Sequence, residues 1–120
     1  MTRILAVDDS PSMRDMVRIA LCGAGFQVTQ AADGAEALEI ARSDSFDLVL
    51  SDVNMPRMDG ISLIRALRAE HAYKHTPILM LTTESSAERK REGKDAGATG
   101  WIVKPFDPAQ LVATMQRVLR

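Results

Sequence analysis

The sequence predicts an α/β fold: a doubly wound, five-stranded parallel sheet in the order 2-1-3-4-5, flanked by five helices. Three observations carry that prediction. Short apolar runs alternate with helical patterns five times along the chain, the signature of a parallel sheet with crossover helices. Four runs, at Ile4-Val7, Leu48-Leu50, Ile78-Leu81 and Trp101-Val103, are continuously apolar, as strands buried on both faces are. The other, Phe26-Gln27-Val28-Thr29, alternates apolar with polar and reads as an edge strand. Right-handed crossovers with an edge second strand then favour 2-1-3-4-5.

Taken in order, each element has its own local signals. Ser10-Pro11 supplies an N-cap and a proline at the first helical position. Met13, Met16, Val17, Ala20 and Leu21 then recur at helical spacing until Gly23 and Gly25 stop the helix. Asp33-Gly34 turns into a second helix carrying Ala35, Leu38, Ile40 and Ala41. The third strand ends at Asp52, and Val53-Asn54-Met55-Pro56-Arg57-Met58-Asp59-Gly60 is a run of turn formers. Ile61, Ile64, Leu67 and Arg68 mark the third helix. Ser85 and Glu88 have capping-box spacing for a fourth, whose Arg89-Lys90-Arg91-Glu92-Gly93-Lys94-Asp95 has almost no apolar stripe. Asp107-Pro108-Ala109-Gln110 opens the fifth, with Leu111, Val112, Met115, Val118 and Leu119 inward.

The bulk numbers narrow the function classes. The 120 residues suit one domain with a single core. A net charge of -1 leaves no electrostatic footprint for nucleic acid and no polybasic membrane patch. Cys22 is alone, which excludes an internal disulfide, and no Cys/His spacing suggests zinc. With no signal-peptide pattern and no apolar run long enough to span a bilayer, the expected compartment is the cytoplasm; a monomer is also expected.

The polar residues at the ends of the apolar runs point to chemistry. Asp8-Asp9 follows the first strand, Asp52 the third, Thr82 the fourth and Lys104-Pro105 the fifth. In doubly wound sheets the ligand crevice lies beyond the strand C-termini, where the winding switches between strands 1 and 3. Carboxylates that close repel by roughly 1–4 kcal/mol per pair at about 4 Å. One lysine cannot neutralise three, whereas a hard cation such as Mg2+ can. Asp9 and Asp52 would ligate it directly, Asp8 through water, and the backbone carbonyl of Asn54 would complete the protein's share. Lys104 and the Thr82 hydroxyl could meet phosphoryl oxygens. Asp52, last on the central strand, is then the best nucleophile for an aspartyl phosphate. Any one of these residues alone reads as an ordinary turn or cap; four coincidences on the four appropriate strands do not.

Over its whole length the chain resembles the receiver domain of bacterial two-component response regulators, and within that family its single-domain, CheY-like chemotaxis branch. The matching motifs are Val7-Asp8-Asp9-Ser10, Asp52 through Gly60, Leu81-Thr82 and Val103-Lys104-Pro105-Phe106. The 2-1-3-4-5 order is the family's own, so it adds no independent support. The resemblance implies a phosphorylation switch over residues 1–120 with no output domain. Asp52 would accept a phosphoryl group from a CheA-like histidine kinase or a small donor such as acetyl phosphate. Asp8 and Asp9 would hold Mg2+, with Mn2+ a possible substitute, and Lys104-Pro105 would be cis. Thr82 and an aromatic residue on strand 5 would relay the signal to the face of helix 4, strand 5 and helix 5. A flagellar motor switch protein is the implied target.

Two features depart from the family's pattern. The switch aromatic is Trp101 rather than Tyr or Phe, and the fourth helix is unusually charged, with Gly93 inside it. Asn54 and Glu84 occupy positions where the family tunes hydrolytic water.

Several other signals carry less. His71 and His75 are four apart but belong to a helix end. Gly23-Ala24-Gly25 and Gly93-Lys94 lack the contexts of nucleotide loops. Met55 and Met58 would pack the loop over the site, and Cys22 would be an inert boundary residue.

Other functions compete with the switch. A phosphate sink or phosphorelay intermediate would use the same residues. A Mg2+-dependent aspartate-nucleophile phosphatase needs an acid two residues after the nucleophile, where this chain has Asn54. A flavodoxin-type carrier would have its FMN phosphate repelled by the acidic pocket. A receiver cut from a DNA-binding regulator is disfavoured by the Met1 start and the lack of a linker after Leu119.

Overall fold

The computed structural model describes residues 1–83 and 87–119. Its elements are β1 (Arg3–Val7), α1 (Pro11–Gly23), β2 (Gln27–Ala31), α2 (Gly34–Ser43), β3 (Leu48–Asp52) and α3 (Gly60–Ala69). A 3-10 turn at His71–Tyr73, β4 (Ile78–Thr82), α4 (Ala87–Ala96), β5 (Gly100–Val103) and α5 (Pro108–Val118) follow. All strands pair in parallel in the order β2-β1-β3-β4-β5. The predicted topology is therefore the observed one.

Local chemistry opens the helices. The side chains of Ser10, Asp33, Asp59 and Asp107 each accept a hydrogen bond from the backbone N–H three residues on. Such caps are worth about 1 kcal/mol each. The expected Ser85–Glu88 box at α4 and the Glu84 position lie outside the described residues.

Alternation along the strands then divides the core. Ile4, Ala6, Leu48, Leu50, Leu79 and Leu81 pack against Val17 and Leu21 of α1 and Leu111 and Met115 of α5. Leu5, Val7, Val49, Ile78 and Met80 point the other way, against α2 and α3 with Leu38, Leu63, Ile64 and Leu67. Met55 and Met58 pack against this second layer.

The fifth strand differs from expectation. Its continuous apolar run predicted burial on both faces, yet Trp101 is 37% and Val103 43% exposed. Only Ile102 joins a core, on the α1–α5 side. Two physical causes combine. β5 is the second sheet edge, and the helix beside it, α4, buries only Gly93 and Ala96. Polar α4 therefore cannot seal the face that carries Trp101.

Candidate functional site

Parallel pairing brings the C-terminal ends of the strands to one sheet edge, in register. Val7 lies opposite Ser51, Asp52 opposite Leu81, and Thr82 opposite Val103. The polar residues at or just beyond these ends consequently converge. Ligand oxygens of Asp8, Asp9 and Asp52 lie within 4.8 Å of one another.

Each acid is held differently. Asp8 is 3% exposed; its Oδ1 accepts from the Ser10 N–H at 2.9 Å, and its backbone carbonyl accepts from Arg14 Nη1 at 2.7 Å. Asp9 is exposed. Asp52 is half-buried, with Oδ1 accepting from the Val53 N–H at 2.9 Å. Among the described residues its Oδ2 accepts no hydrogen bond.

Lys104 ties the cluster together. Its ammonium, on a side chain 13% exposed, donates to Asp8 Oδ2 at 3.2 Å and lies 3.4 Å from Asp52 Oδ1. The Lys104 N–H donates to the Thr82 carbonyl at 2.8 Å, joining the ends of β4 and β5. Thr82 itself is buried, and the Lys104–Pro105 peptide is cis. Burial pushes the Asp52 carboxyl above its ordinary range; Lys104 pulls it down and the Asp8 charge pushes it up again. One ammonium among three carboxylates leaves the pocket short of positive charge.

The donor set fits a divalent cation. At Mg–O lengths of about 2.0 Å, oxygens on one ion sit roughly 3–4 Å apart. Small side-chain adjustments would close the carboxylate triad to that spacing.

The loop leaving Asp52 is fixed by contacts that its sequence does not announce. A Cβ on Gly60 would stand 2.2 Å from the Asp52 carbonyl oxygen and 3.0 Å from Val53 Cα. Glycine alone lets α3 start against the end of β3. Arg57 adopts a left-handed backbone, φ 65°, and its guanidinium pairs with buried Asp33, the α2 cap. The Gly34 N–H donates to the Met58 carbonyl at 3.1 Å. The sequence signals a turn here, through the run ending in Asp59-Gly60, and the Asp33-Gly34 helix start, but not the contacts that join them. Asn54 is exposed, and its side-chain oxygen accepts from Arg89 Nη2 of α4 at 3.1 Å.

Other singled-out residues lie apart from the cluster. Trp101 sits on β5 opposite Met80, with the Lys90 ammonium 5.3 Å from its ring centre. His71, His75 and Cys22 are exposed. Among the described residues, no helix is long and apolar enough to cross a membrane.

Comparison with known proteins converges on one family. The response regulator receiver domain family matches residues 4–116. The chain is 43% identical over 117 residues to the chemotaxis protein CheY-3 of Vibrio cholerae, covering 97% of this chain and 90% of that one. It superposes on the structure of Vibrio cholerae CheY4 with a TM-score of 0.95 at 57% identity, covering 98% of each chain. A third similar structure is the receiver domain of a sensor histidine kinase from Pseudomonas aeruginosa, with a magnesium ion coordinated in its active site cleft. It shows 31% identity and a TM-score of 0.91, covering 98% of this chain and 97% of that one.

Proposed function

The chain belongs to the response regulator receiver family, and we propose that it is a chemotaxis switch whose phosphoacceptor is Asp52. As a receiver it accepts a phosphoryl group and is no enzyme beyond its own phosphorylation and dephosphorylation. The observation that carries the assignment to Asp52 is the bridging ammonium of Lys104, 3.2 Å from Asp8 and 3.4 Å from Asp52.

The chemistry follows from the residues. Asp52 Oδ2 attacks the phosphorus of a phosphohistidine on a CheA-like kinase, or of acetyl phosphate. The new O–P bond forms as the donor's N–P or O–P bond breaks, and the departing imidazole or acetate keeps the electron pair. Asp8, Asp9, Asp52 and the Asn54 carbonyl would hold a Mg2+ ion, which would supply neutralising charge for the transferred group. Lys104, already poised between two carboxylates, moves its donors to the transferred group. The Thr82 hydroxyl binds another oxygen.

A group of about two negative charges on Asp52 then biases a two-state element. Thr82 shifts toward it, and Trp101 turns inward from its half-exposed position, changing the face of α4, β5 and α5. Likeness to the chemotaxis proteins CheY-3 and CheY4 supports a chemotaxis role; on this reading the target is a flagellar motor switch protein, and the chain acts in the cytoplasm as a monomer. Acetyl phosphate with Mg2+ is expected to change Trp101 fluorescence, and Asp52→Asn to abolish the change. An identical response in the variant would refute the coupling.

A further inference from the structure

We propose that Arg14 is a positioning residue for the divalent cation, holding the Asp8–Asp9 peptide so that the Asp9 carboxylate completes the acidic cluster. This role rests on the cation site of the preceding reading.

The two acids that follow β1 are restrained unequally. The Asp8 N–H donates to the Ala31 carbonyl at 3.1 Å, and its two carboxylate oxygens accept from the Ser10 N–H and from Lys104. Asp9 is exposed, and among the described residues its carboxylate accepts no hydrogen bond. Yet a carboxylate oxygen of Asp9 lies within 4.8 Å of those of Asp8 and Asp52. Its place is therefore set by backbone rather than by side-chain contacts.

The peptide unit joining the two acids is planar, so the direction of the Asp8 carbonyl fixes that of the Asp9 N–Cα bond. That carbonyl accepts from Arg14 Nη1 at 2.7 Å, the short length of a charge-assisted hydrogen bond. Arg14 is half-buried, and its own backbone is held from two sides. Its N–H donates to the Ser10 carbonyl at 3.0 Å, and its carbonyl accepts from Gln30 Nε2 of β2 at 2.9 Å. Among the described residues its guanidinium pairs with no carboxylate. It is committed instead to the one carbonyl that leads into Asp9.

Positioning and charge act here with opposite signs. A cation must draw mutually repelling carboxylates into one coordination sphere, and an Asp9 restrained beforehand lowers that cost. The positive charge of Arg14, taken alone, repels the incoming cation. If charge were its whole effect, removing it would tighten binding. If positioning dominates, removing it weakens binding.

The test is a titration of the full chain with Mn2+, the free ion being read by its paramagnetic resonance signal. Arg14→Met is expected to weaken binding about tenfold, the scale at which groups that orient metal ligands act. Arg14→Lys, which keeps a donor and the charge, should recover most of the loss. In an Asp52→Asn background Arg14→Met should weaken binding again, whereas in an Asp9→Asn background it should not, because the residue being positioned is no longer a carboxylate. A merely structural role would lower the metal-free thermal midpoint and weaken binding equally in both backgrounds. Should Arg14→Met not fold, Arg14→Gln, too short to reach the carbonyl, replaces it. Unchanged or tighter binding on removal of the guanidinium, or an equal loss in both backgrounds, overturns the role. If wild type binds no Mn2+, the cation site of the preceding reading falls and this role falls with it.

Discussion

The two ends of one core layer are built to different tolerances. At the β3–α3 junction, backbone meets backbone: Gly60 leaves no room for a Cβ against Asp52 and Val53, while Arg57 and Met58 lock the loop to the start of α2. At α4–β5, side-chain ends meet instead. A Cβ on Gly93 would meet the Met80 terminal methyl at 2.3 Å, and Lys90 rests over a Trp101 ring that is 37% exposed. Backbone cannot yield without moving a whole element, whereas a thioether end or an ammonium can swing aside at small cost. The molecule is therefore rigid where charge must be placed and yielding where a partner would read the result.

The contrast can be broken most sharply with one methyl group. Gly60→Ala should cost about 3 kcal/mol, because Asp52 or the start of α3 must shift. Gly93→Ala should change stability by less than about 1 kcal/mol, since the gain in helix propensity offsets the displaced Met80 end. Urea unfolding of the two variants decides the matter. Equal costs would mean that the two regions do not differ in tolerance.

A smaller effect comes from charge at the rigid end. Burial and Asp8 hold the Asp52 carboxyl above its ordinary range, with Lys104 in opposition, so the folded state binds its proton more tightly than the unfolded state. That contribution is fully present below the unfolded value of about 3.8 and is lost as pH rises through the folded value. At neutral pH without divalent cations, Asp52→Asn should thus be more stable than wild type, by about 1 kcal/mol or about 4 °C in thermal midpoint. The difference should vanish toward pH 3.

Asp33, bonded to the Glu36 N–H and Arg57, and Asp44, lowered to about 2 by Arg3, have depressed values. Both proteins should therefore lose stability together as pH falls below about 4, leaving the difference curve to Asp52. Mg2+ should stabilise wild type more than the variant. A variant less stable than wild type at neutral pH would show that Lys104 outweighs burial.

The smallest effect probes the yielding end. Lys90→Ala removes a cation from a half-exposed ring, which should cost about 0.5 kcal/mol and shift Trp101 emission. A loss above about 2 kcal/mol would show α4 and β5 to be tightly joined.

Much of the molecule was legible because its signals are local. Ser10, Asp33, Asp59 and Asp107 announce their helices by capping chemistry that needs only the next turn. The acidic cluster was legible for a related reason. Parallel strands of similar length, taken in a known order, must end at one edge, so Asp8, Asp52 and Lys104 had to meet there, with Thr82 ending the strand between Asp52 and Lys104.

By itself the sequence determined which face of its own element each residue takes, because periodicity and caps are properties of a single segment. Tertiary structure alone decided what covers that face. The apolar run Trp101-Ile102-Val103 cannot reveal that α4 leaves two of its three side chains in solvent. Nor can Arg57 show a left-handed backbone that pairs it with Asp33, or Arg89 that its fork reaches Asn54, 35 positions away. Those outcomes depend on the chemistry of a second element arriving from elsewhere in the chain, and no local pattern encodes that arrival.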